Sequence, residues 1–174
     1  TLFADAIQDI RRRVEAQDWI EATVPGVVEK VDAVTPYIGK ALAGIKIGRR
    51  LKVAADAGSG NCGPRNAAAA STLSRRCRPA FCEPDGRFPF HHPDPSKPKN
   101  LEDLIKTVKT EDCDYGFALD GDGDRLGVVT KQGEIIFPDR LMMLFAEDIL
   151  KHHPGEPIVY DVKCSRKLVD WVKA

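Results

Sequence analysis

The sequence predicts an α/β fold: a mixed β-sheet flanked by helices, with pieces of neighbouring domains at either end. Three observations carry this. Short apolar runs alternate with stretches of helical periodicity. Two of the runs flank the tight turn Gln132-Gly133, so a hairpin makes the sheet mixed rather than purely parallel. The linker-like Thr23-Val24-Pro25-Gly26 separates the first helix from all that follows.

In chain order, Ile7, Ile10 and Val14 recur at helical spacing between residues 5 and about 17. Within that stretch Arg11-Arg12-Arg13 has acids nearby at Asp9 and Glu15, and reads as a solvated helix face. Ile38, Leu42 and Ile45 mark a second helix before Gly48. Leu51-Lys52-Val53-Ala54-Ala55 is a strand running into the glycine-rich turn 58–63, and the alanine-rich segment 66–73 is helical by propensity. Residues 74–80 stand where a second buried strand is expected, yet they carry the basic pair Arg75-Arg76, Arg78 and Pro79. Prolines 84, 89, 93, 95 and 98 make residues 84–98 an irregular connection. Asn100 is expected to cap the next helix, with Asp103 at N3 and Leu101, Leu104, Ile105 and Val108 as its apolar positions. Tyr115-Gly116-Phe117-Ala118-Leu119 is a strand, and 126–129 and 134–137 form the hairpin. Pro138 suits the first turn of a helix with apolar positions Leu141, Leu144, Phe145 and Ile149, closed by His153-Pro154-Gly155; the aromatic and methionine positions within 141–149 fall on a helical stripe and read as core. A further strand is expected at 158–162, and Ser165 opens a last helix through Leu168, Val169 and Val172.

Composition excludes several classes. Lys+Arg and Asp+Glu both number 26, so the formal charge is zero and there is no nucleic-acid footprint. No apolar run approaches the ~20 residues that span a bilayer, which argues against a membrane partner. The N-terminus lacks the basic-then-apolar order of a signal peptide. Five cysteines, an odd number with no C-x-x-C, argue against a disulfide framework or a zinc site and for reduced thiols in the cytoplasm.

The sharpest chemical signal is Asp120-Gly121-Asp122-Gly123-Asp124-Arg125. Aspartates at i, i+2 and i+4 separated by glycines set three carboxylates around one point, where they repel one another unless a cation sits among them. Oxygen-only ligation favours Mg²⁺, Ca²⁺ or Mn²⁺ over zinc. An EF-hand loop needs Gly at its sixth position and Glu at its twelfth. Here those positions hold Arg125 and Lys131, so that reading fails. A plain acidic turn is the bland alternative, but a buried strand leading straight into such a run favours a site, and an adjacent arginine suits phosphate. Gly58-x-Gly60-x-x-Gly63 after a strand, with Glu83 about 20 residues on, matches the spacing of a dinucleotide-binding fingerprint. Pro64 and the proline-bearing segment that follows weaken it against the reading that these glycines turn a strand into a helix. His91-His92 and His152-His153 lack a third ligand at metal spacing and read as structural or solvent-exposed.

F-A-L-D-G-D-G-D-R-L-G-V-V-T (117–130) followed by G-E-I-I-F-P-D-R-L (133–141) resembles the metal-binding segment of the α-D-phosphohexomutases, most of all their bacterial phosphomannomutase/phosphoglucomutase branch. The flanking D-G-R-F-P, H-H-P-D-P, K-P-K-N-L-E-D-L-I and Y-D-V-K-C-S-R-K-L extend the resemblance. It implies a cytoplasmic, often monomeric enzyme of four domains around a cleft, converting hexose 1-phosphate to hexose 6-phosphate through a phosphoserine and a bisphosphorylated sugar. It further implies that Asp120, Asp122 and Asp124 hold Mg²⁺ with a phosphoserine oxygen, while Arg125 stabilises the phosphoryl group or orients the loop. By the same resemblance, residues 1–22 are the last helix of a first domain, 30–153 the metal-binding second domain, and 157–174 the opening strand and helix of a third. Two departures matter. No T-x-S-H-N-P phosphoserine loop occurs in the 174 residues, so the chain by itself is expected to be inactive; a stand-alone, non-catalytic metal- or phosphate-binding module is the alternative. Residues 64–80 are basic where the family is apolar, which fits either a shifted reading frame or divergence that leaves the sheet one strand weaker.

Overall fold

Residues 2–74 and 76–173 are described by a computed structural model, Asn66 by its backbone alone. The chain divides into two units, Thr1–Ala33 and Val34–Ala174. The first holds helix α1 (Asp5–Glu15), none of whose residues is buried. Its arginines lie in ion pairs with Glu15, Asp9 and Asp18 at 2.7, 3.2 and 3.0 Å, the solvated face expected of them.

The second unit is built on one sheet. Its elements are α2 (Val34–Leu42), β1 (Lys52–Asp56), α3 (Gly63–Leu73), β2 (Arg76–Ala80), α4 (Glu102–Thr110), β3 (Tyr115–Leu119), β4 (Leu126–Thr130), β5 (Ile135–Ile136), α5 (Pro138–His152) and α6 (Lys167–Lys173). The strand order is β2-β1-β3-β4-β5. β1 runs parallel to both β2 and β3, while β4 pairs antiparallel with β3 and with β5. The parallel connections need crossovers, which α3 and α4 provide; the hairpin needs only the turn at Gly133, whose φ of 83° a side chain would resist. The core lies between α4 and the sheet: Leu101, Leu104 and Val108 meet Ala54, Ala118 and Val129, with Cys113 beside them. Gly116 permits that contact, because a Cβ there would stand 2.7 Å from Val108 Cγ2.

Four expectations give way. Residues 76–80 do form a strand, so the sheet is not one strand short; Arg75 lies outside the described residues. β2 is an edge, where Pro79 is tolerated and basic side chains remain solvated, and Arg78 pairs with Glu111 at 2.9 Å. Asn100 does not cap α4. A 3₁₀ turn, Pro98–Leu101, leads into that helix, and Asn100 Nδ2 instead donates to the Asp94 carbonyl at 2.9 Å. Residues 158–162 have strand-like composition but form no strand: among the described residues nothing offers them a ladder, and Val159 and Val162 are 88% and 96% exposed. The α5 stripe is core only in part. Leu144, Phe145 and Ile149 are exposed, Leu141, Met142 and Met143 are half-buried and Ala146 is the helix's buried residue; among the described residues α6 is the element that packs most on that helix.

Candidate metal site

Antiparallel pairing of Leu119 with Leu126 pins both ends of the aspartate loop. Asp120, the first residue past β3, is buried, and its carboxylate organises the turn. Oδ1 accepts the N–H groups of Gly123 (3.0 Å) and Arg125 (2.9 Å), while Oδ2 accepts Arg125 Nε at 2.7 Å. The Gly123 N–H also reaches the Asp120 carbonyl at 3.1 Å, closing a curl that needs a φ of 82° at Gly123. Asp122 and Asp124 stay exposed, and one carboxylate oxygen from each of the three aspartates lies within 4.8 Å of the others.

Electrostatics divides the three. Burial by itself would push Asp120 up. The backbone N–H and guanidinium of Arg125, helped by Asp122, outweigh it and hold Asp120 at about 2. Asp124 is pushed up, first by the charge of Asp122 and then by that of Asp120. A carboxylate raised by its neighbours' charge marks concentrated negative potential, and an oxygen-only donor set fits a hard divalent cation.

Arg125 is brought to the cluster as the sequence suggests, but as a bridge. Its Nη1 meets Asp94 Oδ1 at 3.2 Å while Nε holds Asp120. Asp94, in the proline-rich connection, is itself fixed by the Ser96 N–H at 3.1 Å. This partner lies 31 residues from Arg125, and nothing in the local pattern signals it. Asp124 and Arg125 also form one wall of a groove of about 380 Å³ whose other walls include Leu126, Ile136, Phe137, Leu141 and Phe145. A larger recess of about 1000 Å³ runs from the start of α5 to the 161–167 loop, with Arg140, Lys163 and Lys167 offset by Asp139 and Asp161.

The other sequence candidates find structural roles. His91 Nε2 lies 3.1 Å from Oδ2 of the buried Asp56, and its Nδ1 faces the His92 carbonyl at 3.0 Å. His152 Nδ1 meets the Asp148 carbonyl within α5 at 3.0 Å. The glycines of 58–63 do more than turn the chain: a Cβ on Gly60 would stand 2.6 Å from the Gly121 carbonyl oxygen, and one on Gly63 would clash with the Cys82 carbonyl. The room that a dinucleotide fingerprint keeps for pyrophosphate is taken by protein.

Known proteins match this chain in sequence and in fold. The family model described as phosphoglucomutase/phosphomannomutase, alpha/beta/alpha domain II, matches residues 32–133. The chain is 46% identical over 173 residues to the phosphomannomutase/phosphoglucomutase of Pseudomonas putida, which covers 99% of this chain and 37% of that protein. It is also 46% identical over 173 residues to the phosphoglucomutase of Neisseria meningitidis, covering 99% of this chain and 38% of that one. A solved phosphoglucomutase/phosphomannomutase family protein from Burkholderia thailandensis is similar with a TM-score of 0.82 and 45% identity, over 98% of this chain and 37% of that chain. The chain thus spans little more than a third of the length of these relatives. With its five-stranded mixed sheet, flanking helices and matched sequence, the chain belongs to the phosphoglucomutase/phosphomannomutase family.

Proposed function

We propose that this chain is the cation-binding part of an enzyme that interconverts hexose 1-phosphate and hexose 6-phosphate, of mannose and/or glucose, through a phosphoserine and a bisphosphorylated sugar. The single observation that carries the reading is the convergence of three aspartate oxygens within 4.8 Å, in a chain of this family. Residues 30–153 are the metal-binding domain in this reading, 1–22 belong to the domain before it and 157–174 to the one after.

Asp120, Asp122 and Asp124 would hold Mg²⁺. When bound, the ion supplies positive charge that neutralises a transferring phosphoryl group, where much of the catalysis of such reactions lies. The protein's own part is to keep the donors ready. Asp120 remains ionised at any ordinary pH because Arg125 and two backbone N–H groups stabilise its charged form. Asp94 holds Arg125 against the loop, where the guanidinium has donors left over for a phosphoryl oxygen. The reading places the enzyme in the cytoplasm, and all five cysteines are free thiols in this structure. No helix among the described residues is long and apolar enough to cross a membrane.

The test is calorimetric titration of the chain with Mg²⁺ beside an Asp122→Ala variant. Weak binding is expected from the parent, since Mg²⁺ keeps its waters and leans on phosphate, and at least tenfold weaker binding from the variant. Equal binding would overturn the assignment. The chain by itself, having no T-x-S-H-N-P segment, should show no hexose phosphate turnover. Measurable turnover would refute the requirement for that segment.

A further inference from the structure

Two loops distant in sequence interlock at backbone distance beneath the carboxylates. The Asn61 N–H donates to the Gly121 carbonyl at 3.1 Å. A Cβ on Gly60 would stand 2.6 Å from that same oxygen and 2.9 Å from Gly121 Cα. The contact is answered from the other side: a Cβ on Gly123 would stand 2.9 Å from Cys62 Cβ and 3.1 Å from its Sγ. The buried Cys62 thiol donates to the Asp120 carbonyl at 3.6 Å. Gly121 and Gly123 are the spacers between the three aspartates, so the surface they rest on sets the curl of the loop.

We propose that Gly60 and Cys62 are positioning residues for the cation site, and that the 58–63 loop is the mould on which residues 120–125 take the shape that brings their carboxylates together. This rests on the metal-site reading above. It also gives the Gly58-x-Gly60-x-x-Gly63 spacing a use in which the middle glycine admits a neighbouring loop rather than a nucleotide. Any side chain at 60 pushes on the backbone of Gly121, between the first two ligands, and backbone cannot rotate away as the end of a side chain can. Cys62 acts more gently, with a weak hydrogen bond to the residue that anchors the loop.

Mn²⁺ is the probe, its binding followed by electron paramagnetic resonance, with thermal denaturation of every variant in parallel. Gly60→Ala should weaken Mn²⁺ binding roughly tenfold or more, the scale of groups that orient ligands. Gly116→Ala is the control: its Cβ would press on Val108 and Leu104, away from the loop, so it should lower the melting temperature and leave Mn²⁺ affinity unchanged. Cys62→Ala should weaken binding about threefold, and Cys62→Ser, which keeps a donor, should restore most of it. The cysteine pair decides the matter if Gly60→Ala does not fold. Parent-like affinity in Cys62→Ala, or equal losses in Cys62→Ala and Cys62→Ser, would overturn the proposal, as would weakening by Gly116→Ala as large as by Gly60→Ala. A parent chain that binds no Mn²⁺ would instead remove the metal-site reading, and this inference with it.

Discussion

Replacing Asp120 by Asn isolates the charge that organises the aspartate loop. The amide keeps the shape and an oxygen for the N–H groups of Gly123 and Arg125, but its NH₂ faces Arg125 Nε, where the carboxylate accepts at 2.7 Å. The carboxyl falls from an ordinary 3.8 to about 2 on folding. At about 1.4 kcal/mol per pH unit, that depression is worth roughly 2 kcal/mol. Arg125 is 58% exposed, and solvent screening trims the expectation to about 1–2 kcal/mol. Because the folded value lies below the unfolded one, the stabilisation is present above pH 3.8 and is lost as the pH falls through that value toward 2. Urea denaturation of both proteins at pH 7, 4 and 2.5 measures this. The variant should be less stable by about 1–2 kcal/mol at pH 7, with a melting temperature lower by roughly 2–8 °C. The gap should narrow by pH 2.5, where the carboxyl is largely protonated in the unfolded parent and has begun to protonate in the folded one. A gap that stays constant with pH, or no gap at pH 7, would refute the idea that ionised Asp120 holds the loop.

Three further substitutions probe the surrounding structure. Leu104→Ala empties a fully buried position in the α4–sheet core and should cost about 2–5 kcal/mol in urea denaturation; a loss under 1 kcal/mol would mean that the core closes over the gap. Ala70→Leu points into an apolar hollow of about 350 Å³, lined also by Val53, Leu73, Phe117 and Leu119, and should raise stability by about 0.5–2 kcal/mol, whereas a lowered melting temperature would show the hollow to be too shallow. His91→Gln removes a partner of buried Asp56, whose carboxyl burial already pushes up, so the variant should lose about 1–3 kcal/mol at pH 7.

Much of the fold was legible because its signals are local. Val53-Ala54-Ala55 and 115–119 read as strands, Gln132-Gly133 as a tight turn, and Pro138 as the start of a helix, and each takes that form. The failures share a cause: they depend on partners that periodicity does not show. Val159 and Val162 have strand propensity without a neighbouring strand. Phe145 and Ile149 have apolar helical spacing but lie on the part of α5 that nothing covers among the described residues, 52% and 48% exposed. Asn100 has capping chemistry, but a 3₁₀ turn reaches the helix first and its amide goes to Asp94. The same holds at the site. The three aspartates announce themselves within five residues, while Asp94, Gly60 and Cys62 lie about 30 to 60 residues away and become visible only through contact with the loop.

The edge strand that looked least like a strand has a consequence for the protein in solution. β2 presents Arg76, Arg78 and Pro79 along one border of the sheet, and the opposite border is β5, only two residues long. Neither is a template on which a second chain can extend the sheet, since charge and proline block the first and brevity blocks the other. When this protein self-associates at high concentration, the contacts should therefore form through bare helical surfaces such as that of α5. They should dissolve on dilution and should not ripen into cross-β fibrils.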